Sequence, residues 1–170
     1  MKQDAKIFSL HNTKTSRIKS LAKPVNVLLP WLQSGLLLAI RLYMARAFFL
    51  AGWTKIQDWE TTLLLFTEEY KVPLLSPQLA ALMGTGGELG LPVLLALGLA
   101  GRFGAIGLFC VNIVAVISYP SMAEAARQEH FYWAIMLAVV ALFGSGRFSV
   151  DGMLLQSWWQ RLRGGTGEQS

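Results

Sequence analysis

The chain has 170 residues, 54% of them hydrophobic and only 15% charged, with a formal net charge of +5. That length holds one domain, and an average soluble domain carries about 25% charged residues, so the composition excludes an ordinary soluble core. The positive charges sit at the ends of apolar blocks rather than on one amphipathic face, which points away from nucleic acid and towards a lipid bilayer.

Residues 1–27 form a basic leader, with Lys2, Lys6, Lys14, Arg17, Lys19 and Lys23 against Asp4 alone. It is expected to lie at anionic cytoplasmic headgroups, where each nearby basic residue adds roughly 1 kcal/mol of attraction. It is too long and polar for the leading region of a cleavable signal peptide. A first span is expected over about residues 30–52, with Pro30 at the first helical position. Trp31 and Trp53 then mark the two interfaces. In the loop of residues 53–78, Trp59, Leu63, Phe66 and Tyr70 recur at helical spacing. Asp58 can cap that segment. The spacing predicts a short helix flat on the outer surface, ended before Pro73. A second span follows over about 79–99, a tight turn at Gly101 and Arg102, and a third span over about 103–119, stopped at Pro120. After a polar loop at 121–129, a fourth span begins near Phe131 and closes near Gly144 to Arg147. In the tail, Leu154, Leu155, Trp158, Trp159 and Leu162 share one helical face and read as an interfacial segment.

The expected fold is therefore all-α: an integral membrane four-helix bundle over residues 28–151, with a short interfacial helix in the first outer loop. The leader and an amphipathic, polar tail at 152–170 flank it. Arg102, Arg147, Arg161, Arg163 and the six leader residues would lie inside, and Asp58, Glu60, Glu68, Glu69, Glu124 and Glu129 outside. By the positive-inside rule both termini are then cytoplasmic, in a bacterial-type inner membrane.

Charges inside the spans are the informative residues. A charge at mid-bilayer costs roughly 3 kcal/mol on insertion scales, so it usually faces a partner inside the bundle. Counting from Gly52 and Leu79, the helical rise puts Arg41 about 16 Å deep, Arg46 about 9 Å and Glu88 about 14 Å. Glu88 is expected to pair with one of the two arginines, Arg41 being the better placed, either as a structural ion pair or as a site for a ligand headgroup or proton. Arg41, Phe48, Gly52 and Lys55 fall in one narrow sector of the first span, and Arg46 points elsewhere, towards the outer interface. Pro92 leaves the carbonyl of Glu88 without its helical donor. Gly86 and Gly90 form a small-xxx-small pattern suited to close helix packing. Asn112 is placed to add an interhelical hydrogen bond.

Metal chemistry finds no ligands. His11 and His130 fall on opposite sides of the bilayer and Cys110 is the lone cysteine, so no haem, iron–sulfur or zinc set can be assembled. No cofactor held covalently or by metal ligation is expected.

Three motifs carry a family resemblance. Arg41, Phe48, Phe49, Gly52 and Lys55 follow a pattern of an arginine, then aromatics, then a Gly-X-X-Lys exit. Glu88, Gly98 and Arg102 match a glutamate-bearing second span and its Gly-Leu-X-X-Arg turn. Gly144-Ser145-Gly146-Arg147-Phe148-Ser149-Val150-Asp151 is similar to a closing Gly-Pro-Gly-Arg-X-Ser-Leu-Asp, with Ser145 in place of the usual proline. Together, over about residues 36–151, they resemble the DoxX family of small four-helix bacterial membrane proteins. The resemblance implies a membrane subunit of a quinone-linked oxidoreductase system, with quinone as the ligand and electrons supplied by a partner. Arg41, Arg46, Lys55, Glu88 and Asn112 are then the ligand or proton site. Gly52, Pro92, Arg102, Gly146, Arg147 and Asp151 are read as structural turns. Relatives that accompany clusters making copper-binding modified peptides imply an alternative, a non-enzymatic membrane anchor or assembly partner. A small transporter ranks last, because no inverted repeat is visible. A protein partner or a homo-oligomer is expected in either case.

Overall fold

The computed structural model describes residues 2–154 and 157, with side chains from Leu28 onward. The leader's side chains and the tail face that includes Leu155, Trp158, Trp159 and Leu162 lie outside the described residues. Among the described residues the helices α1 (Lys2–Gln57), α2 (Trp59–Glu68), α3 (Pro77–Leu97), α4 (Gly101–Ser118) and α5 (Glu124–Phe143) follow one another, and residues 150–154 are helical again. No strand occurs among the described residues.

The first helix differs from expectation at both ends. It does not start at Pro30 or stop at Gly52 but runs unbroken from Lys2 to Gln57. Ser34 Oγ donates to the carbonyl of Pro30 at 2.7 Å. Gly52 lies inside the helix because its missing side chain is used for packing, as described below, and not for a turn. The break comes at Asp58, whose Oδ1 accepts from Thr61 N at 3.0 Å and whose Oδ2 accepts from Thr61 Oγ1 at 2.7 Å. This N-cap starts α2 where the sequence places it. Phe66 of α2 is buried against Ala80 and Ala81, with Leu63 and Tyr70 packed beside them. The short helix is therefore held on the N-terminal half of α3.

Ser76 caps α3, Pro77 occupies its first turn and Pro92 sits within it. Gly98 ends it at φ +66°, a left-handed conformation that glycine adopts without penalty. The turn expected at Gly101 and Arg102 lies earlier, at Gly98 to Ala100, because Gly101 is already the first residue of α4.

One core joins four helices. Leu37, Met44 and Phe48 of α1 pack with Leu95 of α3, Ala105 and Leu108 of α4, and Leu137 and Val140 of α5. Outward-facing residues are also large and apolar, among them Leu36, Leu82, Val93, Ile106, Ile117 and Ile135. An apolar exterior around an apolar core is what a hydrocarbon solvent demands. Among the described residues three segments, Leu28–Gln57, Pro77–Leu97 and Gly101–Ser118, are long and apolar enough to cross a membrane. The fourth expected span, α5, has 20 residues, but Glu124, Arg127, Glu129 and His130 make its first two turns polar.

The glycines that bring helices together are not the expected ones. A Cβ on Gly86 or Gly90 would meet nothing within 4 Å, so these two face outward. A Cβ on Gly104 would lie 3.2 Å from Leu95 N, and one on Gly87 3.2 Å from Val111 Cγ2. These contacts set the register of α3 against α4.

Candidate functional site

A cleft of about 220 Å³ opens among α1, α2, α3 and α4. Its walls are mostly apolar, with Phe66, Val72, Leu75, Met83, Val111 and Val114 contributing. At one end stands an ion pair: Lys55 Nζ donates to Glu88 Oε2 at 2.5 Å. The two side chains retain only 21% and 11% of their exposure. A buried pair of this kind is net neutral, yet it presents both a strong donor and a carboxylate to whatever occupies the cleft.

Lys55 is the partner of Glu88, not Arg41 or Arg46. The register of α1 against α3 explains the correction. Depth counting aligned Gly52 with Leu79, whereas Gly52 packs directly on Glu88. Arg41, eleven residues along α1, lies about 16 Å from that level. Lys55, one turn beyond Gly52 on the same face, reaches the carboxylate instead.

Arg41 has a different task. It is fully buried. Its Nε donates to Leu95 O at 2.8 Å and its Nη2 to Ala96 O at 2.7 Å. Its Nη1 donates to Ser145 O at 2.7 Å and Phe148 O at 2.9 Å. The last carbonyls of a helix have no partner within it, and the planar fork of an arginine can satisfy several at once. Arg41 thus ties the end of α3 to the closing loop. Asp151 makes the reciprocal tie: its carboxylate accepts from the amides of Ala100 and Gly101, both at 3.0 Å, at the start of α4. Gly146, at φ +74°, lets the closing loop pass against Ser34 of α1. Arg147 lies over the Trp31 ring, 5.3 Å from its centroid. Arg46 is exposed.

Asn112 joins α4 to α5. Its Nδ2 donates to the His130 carbonyl at 2.9 Å, which leaves its Oδ1 to accept from His130 Nδ1 at 2.7 Å. The imidazole packs edge-on against Trp133. The contact of Gly87 with Val111 puts Asn112 near the level of Glu88, so all four long helices place a polar side chain in one layer.

Two cleft residues were not singled out as polar by the sequence. Ser118 Oγ is fully buried and has no hydrogen-bond partner among the described residues. Tyr70, stacked between Phe66 and Tyr119, has its phenol held above the usual value by burial first and by the negative charge of Glu88 next. Helical spacing reads Tyr70 only as part of an apolar face. Its second role appears once the loop after α2 folds back over α3.

Comparison with known proteins identifies one family. The DoxX family model matches residues 36–120, half of the chain, and so contains Arg41, Lys55, Glu88 and Asn112 but not the closing loop. No curated protein and no solved structure matches.

Proposed function

The chain belongs to the DoxX family, and from that premise we propose that it is a four-span protein of a bacterial inner membrane, serving as the membrane subunit of a quinone-linked oxidoreductase system. The apolar cleft that ends on the Lys55–Glu88 pair carries this reading. Ligand sites are mostly apolar with a few convergent polar groups, and this cleft has that composition. A quinone would supply the redox chemistry there, taking up two electrons and two protons. Lys55 is placed to donate a hydrogen bond to a carbonyl oxygen of the headgroup. Glu88 is placed to hold a proton beside it. Phe66 and Tyr70, stacked on each other, belong to the apolar lining of the cleft. Electrons come from a protein partner. The basic leader, Arg102 and Arg147 support cytoplasmic termini by the positive-inside rule.

The test is purification in mild detergent followed by mass spectrometry for bound quinone and protein. Wild-type protein should retain quinone, and Lys55→Met and Glu88→Gln should lose it. Cys110, the lone cysteine, lines the same cleft, so bound quinone should slow its alkylation. Quinone retained equally by both variants overturns the site. A stable protein partner without quinone favours a membrane anchor or assembly factor instead.

A further inference from the structure

The helices α3 and α4 touch over only part of their length. A Cβ on Gly104 would lie 3.2 Å from Leu95 N, one on Gly107 2.8 Å from Leu91 Cδ1, and one on Gly87 3.2 Å from Val111 Cγ2. Beyond Gly87, towards the end of the bundle that carries α2, the two helices part. A Cβ on Gly84 would meet only Phe66 of α2 within 4 Å, and nothing of α4. The cleft fills this gap, and Met83 of α3 and Cys110 and Val114 of α4 are among the residues that line it.

The cleft's walls differ in what they face. Phe66 of α2 is 7% exposed, and Tyr70 beyond it stacks on Tyr119 with ring centroids 5.1 Å apart. Lys71 N donates to Ser118 O at 2.8 Å, so the segment after α2 is fastened to the end of α4. On the gap between α3 and α4, by contrast, Met83 is 58% and Val114 39% exposed, and Cys110 is exposed as well. Counting helical rise from Pro77 and from Ser118, Met83 lies about 9 Å, Val114 about 6 Å and Cys110 about 12 Å from the helix ends. In a hydrocarbon core about 30 Å thick, those depths are in lipid. The cleft therefore has an apolar side opening onto the bilayer, with the Lys55–Glu88 pair at its inner end.

We propose that the cleft takes a lipid-tailed ligand sideways from the bilayer, its headgroup at Lys55 and Glu88 and its apolar tail leaving between Met83 of α3 and Cys110 and Val114 of α4. This rests on the reading of the cleft as a quinone site and adds the tail and its route. Apolar walls suit an isoprenoid chain, which asks for no hydrogen-bond partner. A chain in this gap reaches lipid without displacing the segment that Tyr70 and Lys71 hold against α4.

The test uses the full-length protein in lipid nanodiscs and two naphthoquinones with one headgroup, the first with a long isoprenoid chain and the second without it. Bound quinone is measured by mass spectrometry after gel filtration. Val114→Trp and, from the other helix, Met83→Trp fill the gap from its lipid side. Ile135→Trp adds the same ring to an exposed position of α5 and serves as the control. Crowding the gap should lower retention of the tailed quinone about tenfold in each of the two gap variants. Retention of the tailless quinone should stay at the wild-type level, and the control should change neither. Both gap variants should melt near wild type, because the replaced side chains face lipid. Tailed quinone retained at the wild-type level in both gap variants, but lost in Lys55→Met, overturns the route and leaves the headgroup site standing. Equal loss of the two quinones in the gap variants shows that the added ring disturbs the headgroup pocket, and overturns the tail assignment. Neither quinone binding to wild type overturns the quinone reading and this proposal with it.

Discussion

Gly52 and Glu88 touch at the crossing of α1 and α3, so closely that a Cβ on Gly52 would lie 2.9 Å from Glu88 Cβ and 3.1 Å from its carbonyl carbon. This contact fixes which residues of α1 stand opposite the carboxylate, and so selects Lys55 as its partner. Gly52→Val should force the helices apart. Overpacking a close contact costs typically 1–3 kcal/mol. The expected outcome is a lower melting temperature in detergent and loss of the Lys55–Glu88 bond, the latter read from carboxylate infrared bands. An unshifted melt would mean that the crossing tolerates a side chain.

Lys55→Met should destabilise by about 3 kcal/mol, because it leaves the buried Glu88 unpaired, and Glu88→Gln by less, because Lys55 keeps 21% of its side-chain exposure. The double variant should melt close to wild type and still fail to retain quinone. That combination separates a ligand role from a purely structural one. A double variant as unstable as the sum of the singles would show that the two residues act independently.

Arg41→Lys should not rescue Arg41→Met. A lysine brings three donors on one nitrogen, whereas four carbonyls in two segments are held here by a planar fork. Both variants should lose several kcal/mol, since each unsatisfied buried carbonyl costs about 1–3 kcal/mol. Quinone should remain bound to whatever fraction stays folded, because Arg41 is far from the cleft.

Asn112→Ala removes two hydrogen bonds to His130 and should cost about 1–3 kcal/mol. Its effect on quinone retention should be smaller than that of Glu88→Gln. Retention lost equally in the two variants would shift the site towards α5.

The start of α2 should loosen in acid. The backbone amide of Thr61, and next its hydroxyl, hold the Asp58 carboxyl below the usual value of 3.8. A carboxyl whose folded value is depressed stabilises fully above the unfolded value and loses that contribution as pH falls through the folded one. Amide exchange at Thr61 and Thr62, corrected for the intrinsic pH dependence, should therefore become less protected below about pH 4. In Asp58→Asn the cap persists without titrating, and this pH dependence should vanish.

Much of the architecture was legible because it rests on local patterns. The apolar blocks mark the long helices, Asp58 marks the start of α2, and Pro120 marks the stop after α4, whereas the turn that falls at Gly98 is expected from the sequence at Gly101 and Arg102. Pro30 and Gly52 misled because each has a local meaning, helix start or turn, that the longer helix overrides. Gly86 and Gly90 misled for a related reason: spacing shows that two glycines share a face, not which way that face points.

The sequence by itself determined that the chain is helical and apolar on a membrane scale, that Arg41, Arg46 and Glu88 are charges within apolar spans, and to which family it belongs. These follow from composition, periodicity and short motifs, all properties of neighbouring residues. Only the tertiary structure decided that Glu88 pairs with Lys55, that Arg41 holds four carbonyls, and that Tyr70 and Ser118 line the same cleft. Each of those depends on the axial register between helices. One residue of slip moves a side chain by about 1.5 Å along the axis and turns it by roughly a quarter of the circle. The steric contact of Gly52 with Glu88 sets that register, and no pattern within either helix encodes it alone.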